Sequence, residues 1–307
     1  MKKQIFKYKR RFKRSIKYMW SHPLCSRSRL LALFRYVFFH ISSYIYPKRI
    51  RYPFIEKTWF LAKAGDAGLA GNVYCGLSDF ECMSFLLHYL RKEDLFFDIG
   101  SNLGSYTILA SGVKKAFSFA FEPDSETFRI LNDQIALNSI NHLVIAQQKA
   151  LGQETTTSFL TSGFGTMNYI VKDSSNGNSS KVEIEVVTLD SIIIPNEEFV
   201  SVIAKIDVEG YEYDVLLGGK KLLSNPKLKV IMVETNGFVS RYQHSLSDIH
   251  SLLETNGFKA HSYDPFSRKL ILIENPKESN TIYIRDLDFV TNRIDQSPKF
   301  KKFGVSF

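Results

Sequence analysis

The sequence predicts an α/β fold in which helices cover both faces of a doubly wound, mostly parallel sheet. From Asp94 onward, short apolar segments alternate with amphipathic helical segments, and this alternation is typical of parallel sheets. A glycine turn between Gly100 and Gly104 follows the first of these apolar segments, and an acid, Glu122, ends the next one. Sheets that bind nucleotides carry a glycine turn and an acid at these two places.

The predicted strands occupy residues 95–99, 116–121, 143–147, 155–160, 182–187, 200–206, 229–234, 258–263 and 281–284. The predicted helices occupy residues 103–111, 125–138, 211–223 and 246–256. A polar segment at 173–180 interrupts the alternation, and its composition predicts a mobile loop that joins strands 155–160 and 182–187. No internal repeat and no second domain is indicated.

The charge is divided unevenly along the chain. Residues 1–55 contain 15 Lys and Arg and no acid, whereas the rest of the chain has 25 basic and 31 acidic residues. We therefore expect a basic N-terminal extension at 1–55 and a catalytic domain at 56–307. The basic segment is expected to meet an anionic partner, either phospholipid head groups or nucleic acid.

Aromatic and aliphatic residues are interleaved with the positive charges of this extension. Residues 1–20 alternate Lys or Arg with apolar side chains, and 30–46 adds Phe34, Phe38 and Ile41 at helical spacing. The pattern is typical of interfacial amphipathic helices, and it predicts helices that contact a membrane surface. The alternative is a solvated basic tail followed by one helix that packs on the domain.

Several classes of protein are disfavoured. The three cysteines are odd in number and lack CxxC spacing, so neither a disulfide framework nor a thiolate zinc site is expected. The apolar segment 30–46 is interrupted by Arg35 and His40 and is shorter than the ~20 residues that a spanning helix needs. No signal peptide is indicated. We expect a cytoplasmic protein, peripheral at the inner face of the membrane if the extension binds lipid.

The glycine turn follows a strand that ends on a carboxylate, Asp98, and it leads into a helix. Such a turn lets a ligand approach the backbone and the first N–H groups of the helix. The spacing Gly100-Ser101-Asn102-Leu103-Gly104 is not the GxGxxG of dinucleotide sites. Glu122, 24 residues after Asp98, is placed to accept the ribose hydroxyls of an adenosine.

Over about residues 71–290 the chain resembles the FkbM family of methyltransferases. The resemblance is carried, in order, by the segments DIGSNLGSYT, FEPDSETFRILNDQIALN, VTLDS, KIDVEGYEYDVLLGG and VIMVETNG. It implies a class I methyltransferase fold with a seven-stranded sheet and S-adenosylmethionine as the cofactor. It also implies methylation of an oxygen on a sugar, glycan, lipid-linked saccharide or other small acceptor.

The resemblance also implies roles for individual residues. The residues implied to line the methionine end of the cofactor are Asp98, Gly100, Asn102 and Gly104. Glu122 is implied to hold the ribose, and Ala150 is implied to lie beside the adenine.

Acids after the later strands are the catalytic candidates. Asp207 follows the fourth parallel strand, and the carboxyl ends of such strands face the ligand crevice, so it is the first choice for general base. Glu209 is the second choice, although it and Glu212 could instead complement the dipole of the helix that follows. Glu234 and His244 are further candidates. No ligand spacing predicts a metal site.

Two other functions are compatible with parts of the sequence. A nucleic-acid methyltransferase would use the basic extension, but Asp207-Val208-Glu209-Gly210 stands where enzymes that methylate base amino groups carry an Asn/Asp-Pro-Pro-aromatic turn. A methyltransferase-like scaffold without activity is disfavoured because Asp98, Gly100, Gly104 and Glu122 are all present.

Overall fold

A computed structural model of the chain describes residues 2–163, 168–171, 180–194, 198–235, 238–276 and 280–307. The helices are α1 Lys2–Ser21, α2 Arg29–Ile45, α3 Ala67–Cys75, α4 Phe80–Tyr89, α5 Ser105–Thr107, α6 Ser125–Leu137, α7 Glu212–Leu217, α8 Lys220–Ser224, α9 Leu246–Thr255 and α10 Leu287–Asp295.

The strands are β1 Ile50–Pro53, β2 Trp59–Ala62, β3 Leu95–Ile99, β4 Phe117–Phe121, β5 Val144–Gln147, β6 Ala150–Leu151, β7 Thr156–Thr161, β8 Ile170–Val171, β9 Lys181–Val187, β10 Val202–Ile206, β11 Leu228–Glu234, β12 Lys259–Asp264, β13 Lys269–Leu272, β14 Asn280–Ile284, β15 Lys301–Lys302 and β16 Val305–Ser306.

The central sheet has the strand order β13-β12-β14-β11-β10-β3-β4-β5. The five strands from β11 to β5 are parallel to their neighbours, and β14, β12 and β13 are antiparallel. The chain begins the sheet at β3, builds outward to β5, and then returns to the other side of β3 with β10. The order therefore reverses between β3 and β10, and ligands bind at such a switch point in open α/β sheets.

The two strands at the switch point are almost entirely apolar because helices cover both faces of the sheet. Successive side chains point to opposite faces, so Phe96 enters one core cluster and Phe97 enters the other. Ile203 and Ala204 of β10 divide in the same way. The exceptions are Lys205 of β10 and Asp98 of β3, two buried charged residues that are paired in register.

The predicted α/β class and the mostly parallel sheet are confirmed, but the expected count of seven strands is wrong. An eighth strand, β13, forms a hairpin with β12, in which Tyr263 pairs with Leu270. No clear sequence pattern predicts this strand, because β13 is a four-residue edge strand on which Ile271 and Leu272 are more than half exposed. A short apolar segment without a buried face carries no clear period.

Two predicted helices differ from those observed. The helix expected at 103–111 begins at Ser105, after Gly104 as its N-cap, and continues as a π-helix over Ile108–Val113. The helix expected at 211–223 is divided into α7 and α8 at Gly218. A Cβ on Gly218 would overlap the carbonyl oxygen of Gly152, so the close contact requires a glycine there.

A second sheet lies outside the central one, with the order β6-β9-β7-β8. Strands β7 and β9 pair antiparallel, with Phe159 opposite Glu183, which confirms the two predicted strands on either side of the polar segment. The loop expected at 173–180 lies outside the described residues except for Ser180.

The N-terminal helices pack against the domain through α3. The rings of Tyr36 and Tyr74 are 5.3 Å apart, and Arg35 Nε donates to the Tyr74 carbonyl at 3.1 Å. The boundary expected at residue 55 falls between β1 and β2, which form an antiparallel hairpin. Among the residues that the structure describes, no helix has both the length and the apolar character needed to cross a membrane.

Candidate active site

The glycine turn after β3 is held between the two neighbouring strands. Gly100 has a φ of +78°, and a Cβ there would overlap the carbonyl oxygen of Asp207. The N–H groups of Gly100 and Ser101 both donate to the carbonyl of Phe121, at 3.1 and 2.9 Å. Only glycine combines this φ with so close an approach, so the turn lies directly against the end of β10.

Glu122 follows β4 and closes the other side of the turn. Its Oε2 accepts the N–H of Asn102 and its Oε1 accepts the N–H of Asp124, both at 3.0 Å. The side chain is buried, and burial raises the pKa of Glu122 to about 8, although the two backbone donors act in the opposite direction. A carboxylate with both oxygens so held has a fixed orientation.

A cavity of about 260 Å³ lies at the carboxyl ends of β3, β4 and β10. This volume is close to the lower end of the range for small-molecule sites, roughly 300–1,000 Å³. The predicted site residues that line it are Gly100, Asn102, Glu122, Ala150, Asp207 and Glu209. The rest of the wall includes Ala67 and Gly68 of α3, Ile170 of the second sheet, and Glu234.

Asp98 and Gly104 lie behind this wall. Asp98 is 1% exposed and accepts a hydrogen bond of 2.5 Å from the Thr107 hydroxyl. Burial raises the pKa of Asp98 to about 6, and the ammonium of Lys205 opposes this shift. Gly104 has a φ of +84°, and a Cβ there would lie 2.7 Å from Leu131 Cδ1. Both residues fix the turn without facing the cavity.

Lys205 supplies a buried positive charge next to the cavity. Its Nζ lies 2.7 Å from Asp207 Oδ2 and 4.7 Å from the centre of the Tyr106 ring. Burial alone lowers the pKa of Lys205, but the carboxylates of Asp207, Glu234 and Asp98 outweigh it and raise the pKa above its ordinary value. Lys205 therefore stays positively charged and interacts electrostatically with all three acids.

Asp207 and Glu234 form a pair of acids on the cavity wall. Glu234 ends β11 and lines the same cavity as Asp207. Burial raises the pKa of Glu234, the negative charge of Asp207 raises it further, and Lys205 opposes both effects. A pair of this kind can hold and pass on a proton.

The two acids that follow have different environments. Glu209 lines the cavity and has a φ of +54°, and its carbonyl accepts a bond of 3.3 Å from Arg241 Nη1. Glu212 is fully buried, and its Oε1 accepts the N–H groups of Gly210 and Val208 at 2.9 and 3.3 Å. Glu212 thus holds the turn after β10. Burial raises the pKa of Glu212 to about 7.

His244 is placed apart from the cavity. Its Nε2 lies 3.7 Å from Asp214 Oδ2, and its ring is 4.3 Å from that of Tyr213. It is not among the residues that line the cavity.

Sequence reasoning assigned no role to Lys205, although a signal was present. Val202–Ile206 is an otherwise apolar strand, and a lone lysine in such a strand needs a buried counter-charge. A second polar group next to it was also missed: Asp79 accepts a hydrogen bond from the Tyr106 hydroxyl and another, at 2.9 Å, from Asn280. These residues are far apart in the sequence, so no local motif shows them.

A cluster of metal-ligating side chains lies in the N-terminal region, where spacing predicted none. The donor atoms of His22, Cys25 and Cys75 are all buried and lie within 4.8 Å of one another. His22 already has two backbone partners, since its Nε2 is 2.7 Å from the Leu77 carbonyl and its Nδ1 accepts the Leu24 N–H. The arrangement links the α1–α2 connection to α3.

Comparison with known proteins agrees with the resemblance seen in the sequence. Residues 98–260 match the family model described as the methyltransferase FkbM domain. Among curated proteins, the chain is 26% identical over 160 residues to the hexuronic acid methyltransferase AglP of Haloferax volcanii. That match covers 50% of this chain and 61% of AglP, so the chain spans about three fifths of the length of this relative.

Two of the solved structures that match are distant in sequence. A putative rRNA methylase from Clostridium thermocellum matches with a TM-score of 0.39 at 9% identity, over 66% of this chain and 90% of that one. An RNA methyltransferase from Salinibacter ruber, in complex with S-adenosyl-L-homocysteine, matches with a TM-score of 0.30 at 13% identity, over 66% and 85%. These likenesses are too distant to indicate a substrate.

The family match covers more than half of the chain and includes the glycine turn, β4, β5, β10 and β11. The chain belongs to the FkbM methyltransferase family.

Proposed function

We propose that the cavity binds S-adenosylmethionine next to a saccharide, and that the enzyme methylates a hydroxyl oxygen of that saccharide. When bound, the cofactor supplies a methyl group on a sulfonium. The single observation that carries the proposal is the shared wall of the cavity, on which Glu122 and the Asp207–Glu234 pair both lie.

The residues of the cofactor half fit this ligand. Glu122 is rigidly held and presents two carboxyl oxygens, which can accept both ribose hydroxyls of an adenosine. Asn102 lines the same wall, and its buried Oδ1 has no hydrogen-bond partner in the described part of the chain. A buried acceptor of this kind needs a donor, and the amino group or hydroxyls of the cofactor offer one.

Ala150 is proposed to lie beside the adenine, on the wall that β6 contributes. Gly100 is proposed to let the cofactor approach the backbone of the turn. Asp98 and Gly104 are proposed to support this turn from behind, since neither lines the cavity.

The acids of the acceptor half favour a neutral hydroxyl as the nucleophile. A hydroxyl must lose its proton as the new bond forms, and Asp207 is placed to take it. Glu234 lies beside Asp207 and can share that proton, while Lys205 keeps the pair in place. An acceptor carboxylate would need no base and would be repelled by Asp207, Glu209 and Glu234. The name of the relative AglP, a hexuronic acid methyltransferase, supports a sugar acceptor.

A nucleic-acid methyltransferase is the second candidate, because the N-terminal extension carries 15 positive charges. The charges lie on the extension, whereas the cavity wall is acidic at Asp207, Glu209 and Glu234. A polyanionic acceptor would have to approach these acids, so the saccharide is favoured.

The test is transfer of a labelled methyl group from S-adenosylmethionine to neutral and uronic-acid-containing saccharides. The proposal expects a labelled product that resists mild alkali, since methyl ethers are stable there. Label that mild alkali releases as methanol would reveal a methyl ester and contradict a hydroxyl acceptor. Transfer only to RNA or DNA would contradict the saccharide.

A further inference from the structure

Helix α2 has a continuous apolar face that no described part of the chain covers. We call this the α2 face, and its exposed members are Leu30, Leu31, Phe34, Val37, Phe38, Ile41, Tyr44 and Ile45. At 3.6 residues per turn these side chains fall within an arc of about 140°. The opposite side of the same helix buries Ala32, Tyr36 and Phe39 against the protein.

The exposure is too large to be an ordinary feature of a protein surface. Phe34 is 66% exposed, Leu30 is 76% exposed and Tyr44 is 90% exposed, whereas single exposed apolar residues such as Ile193 are common. A contiguous patch of aromatic and aliphatic side chains marks a site of interaction. The helix therefore has two apolar sides, of which the protein covers one.

The charge of the N-terminal extension indicates what covers the exposed α2 face. Lys13, Arg14 and Lys17 of α1 are exposed, and α1 lies against α2, where the rings of Phe12 and Tyr36 are 5.9 Å apart. No acid occurs before Glu56. An apolar face on a segment that carries 15 cations and no acid matches the two layers of an anionic bilayer, which are acyl chains and lipid phosphates.

Other occupants fit this combination less well. A second copy of the chain would bring two cationic surfaces together, with no acid among the first 55 residues to pair with them. A nucleic acid would meet the cations but would leave the apolar side chains in water.

We propose that the α2 face is a membrane-docking surface that inserts into the head-group region of an anionic phospholipid bilayer, while the cations of α1 contact the lipid phosphates. The docked helix lies in the plane of the interface and does not cross the bilayer. This function is separate from methyl transfer.

Two polar contacts connect α2 and the residues after it to the segment that precedes the cavity wall. Ser43 Oγ, in the last turns of α2, accepts the N–H of Ala64 at 2.8 Å, and Arg49 forms an ion pair of 2.9 Å with Asp66. Asp66 precedes Ala67, which lines the cavity. Docking would therefore hold the site close to the lipid surface, where a saccharide carried on a lipid is presented; this last consequence rests on the proposed function.

The test is co-sedimentation of the full chain with vesicles of phosphatidylcholine and phosphatidylglycerol. Phe38→Glu places a charge in the α2 face and should weaken binding by about tenfold or more, because a buried charge opposes insertion. The matched control is Ile193→Glu, which makes the same change at an exposed apolar residue elsewhere and should leave binding within about twofold. Lys13→Glu with Lys17→Glu should weaken binding and reduce its salt dependence.

Binding of S-adenosylhomocysteine is measured on the same samples, and equal affinity in all variants shows that they are folded. A chain that binds this ligand but no vesicles overturns the docking surface and leaves the proposed function standing. Equal vesicle binding by Phe38→Glu and wild type also overturns it. So does a dimer that forms without lipid and dissociates in Phe38→Glu, since the α2 face would then bind a second copy.

Discussion

Lys205 Nζ lies 2.7 Å from Asp207 Oδ2, and the lysine is 4% exposed while the aspartate faces the cavity. The ion pair connects a side chain in the buried part of the sheet to one that lines the cavity. Lys205 also opposes the raised pKa values of Asp98 and Glu234. One buried cation thus sets the electrostatics of acids that come from three strand ends.

Replacing this cation should destabilise the fold. Lys205→Met leaves the surrounding acids without their counter-charge, and breaking a buried pair lowers the free energy of unfolding by about 3 to 5 kcal/mol. The double variant Lys205→Met/Asp207→Asn should be more stable than the sum of the two single changes predicts, by at least about 1 kcal/mol. Urea denaturation of the four proteins measures this coupling. Simple additivity would show that the contact does not stabilise the fold.

Replacing the proposed base should affect turnover rather than binding. Asp207→Asn keeps the shape of the side chain but cannot take a proton, so we expect turnover to fall by ~100-fold or more. Glu209→Gln should have a smaller effect, because Asp207 forms the ion pair with Lys205 and its charge raises the pKa of Glu234. Steady-state rates with the identified acceptor measure both variants, and calorimetry should show cofactor affinity within about twofold of wild type. Turnover close to wild type in Asp207→Asn would remove it from the mechanism.

The contact between the glycine turn and β10 makes Gly100 irreplaceable. Gly100→Ala combines an unfavourable positive φ with overlap of the Asp207 carbonyl oxygen. Gly65 is a matched control, since its φ is +107° and a Cβ there has nothing within 4 Å. Gly65→Ala should cost about 1 kcal/mol of unfolding free energy from the backbone alone, and Gly100→Ala about 2 kcal/mol more. Equal midpoints of urea denaturation for Gly100→Ala and Gly65→Ala would show that the turn can shift to accommodate a Cβ.

Buried acids should make the fold less stable as the pH rises. Burial raises the pKa of Glu122 to about 8, of Glu212 to about 7 and of Asp98 to about 6. In the unfolded chain these acids release their protons near pH 4, so the stabilisation is present at low pH and is lost as the pH rises through the folded values. The unfolding free energy of wild type should fall between pH 5 and pH 8. That of Glu122→Gln should fall by about 2 to 4 kcal/mol less over the same interval, because glutamine does not ionise. If Glu122→Gln and wild type showed the same pH dependence, Glu122 would not be the group whose ionisation destabilises the fold.

The sequence allowed the central fold and much of the cavity wall to be predicted, because both depend on local order. Strand 95–99 matches β3 at both ends, and Gly100, Asn102 and Glu122 follow strands whose carboxyl ends meet at one edge. The contacts of Lys205 and Asp79 could not be predicted, since they join residues from separate elements. The cluster of His22, Cys25 and Cys75 could not be predicted for the same reason, because Cys75 is on α3, 50 residues after Cys25.

Glu122 is proposed to hold the cofactor in this cavity, and calorimetric titration with S-adenosylhomocysteine tests this role most directly. Glu122→Ala should weaken binding by about 1 to 3 kcal/mol through the loss of hydrogen bonds to the ribose hydroxyls. Glu126→Ala is the matched control, because Glu126 is an exposed acid four residues further along and does not line the cavity. We expect wild-type affinity for Glu126→Ala and weakened affinity for Glu122→Ala. Unchanged affinity in Glu122→Ala would contradict it.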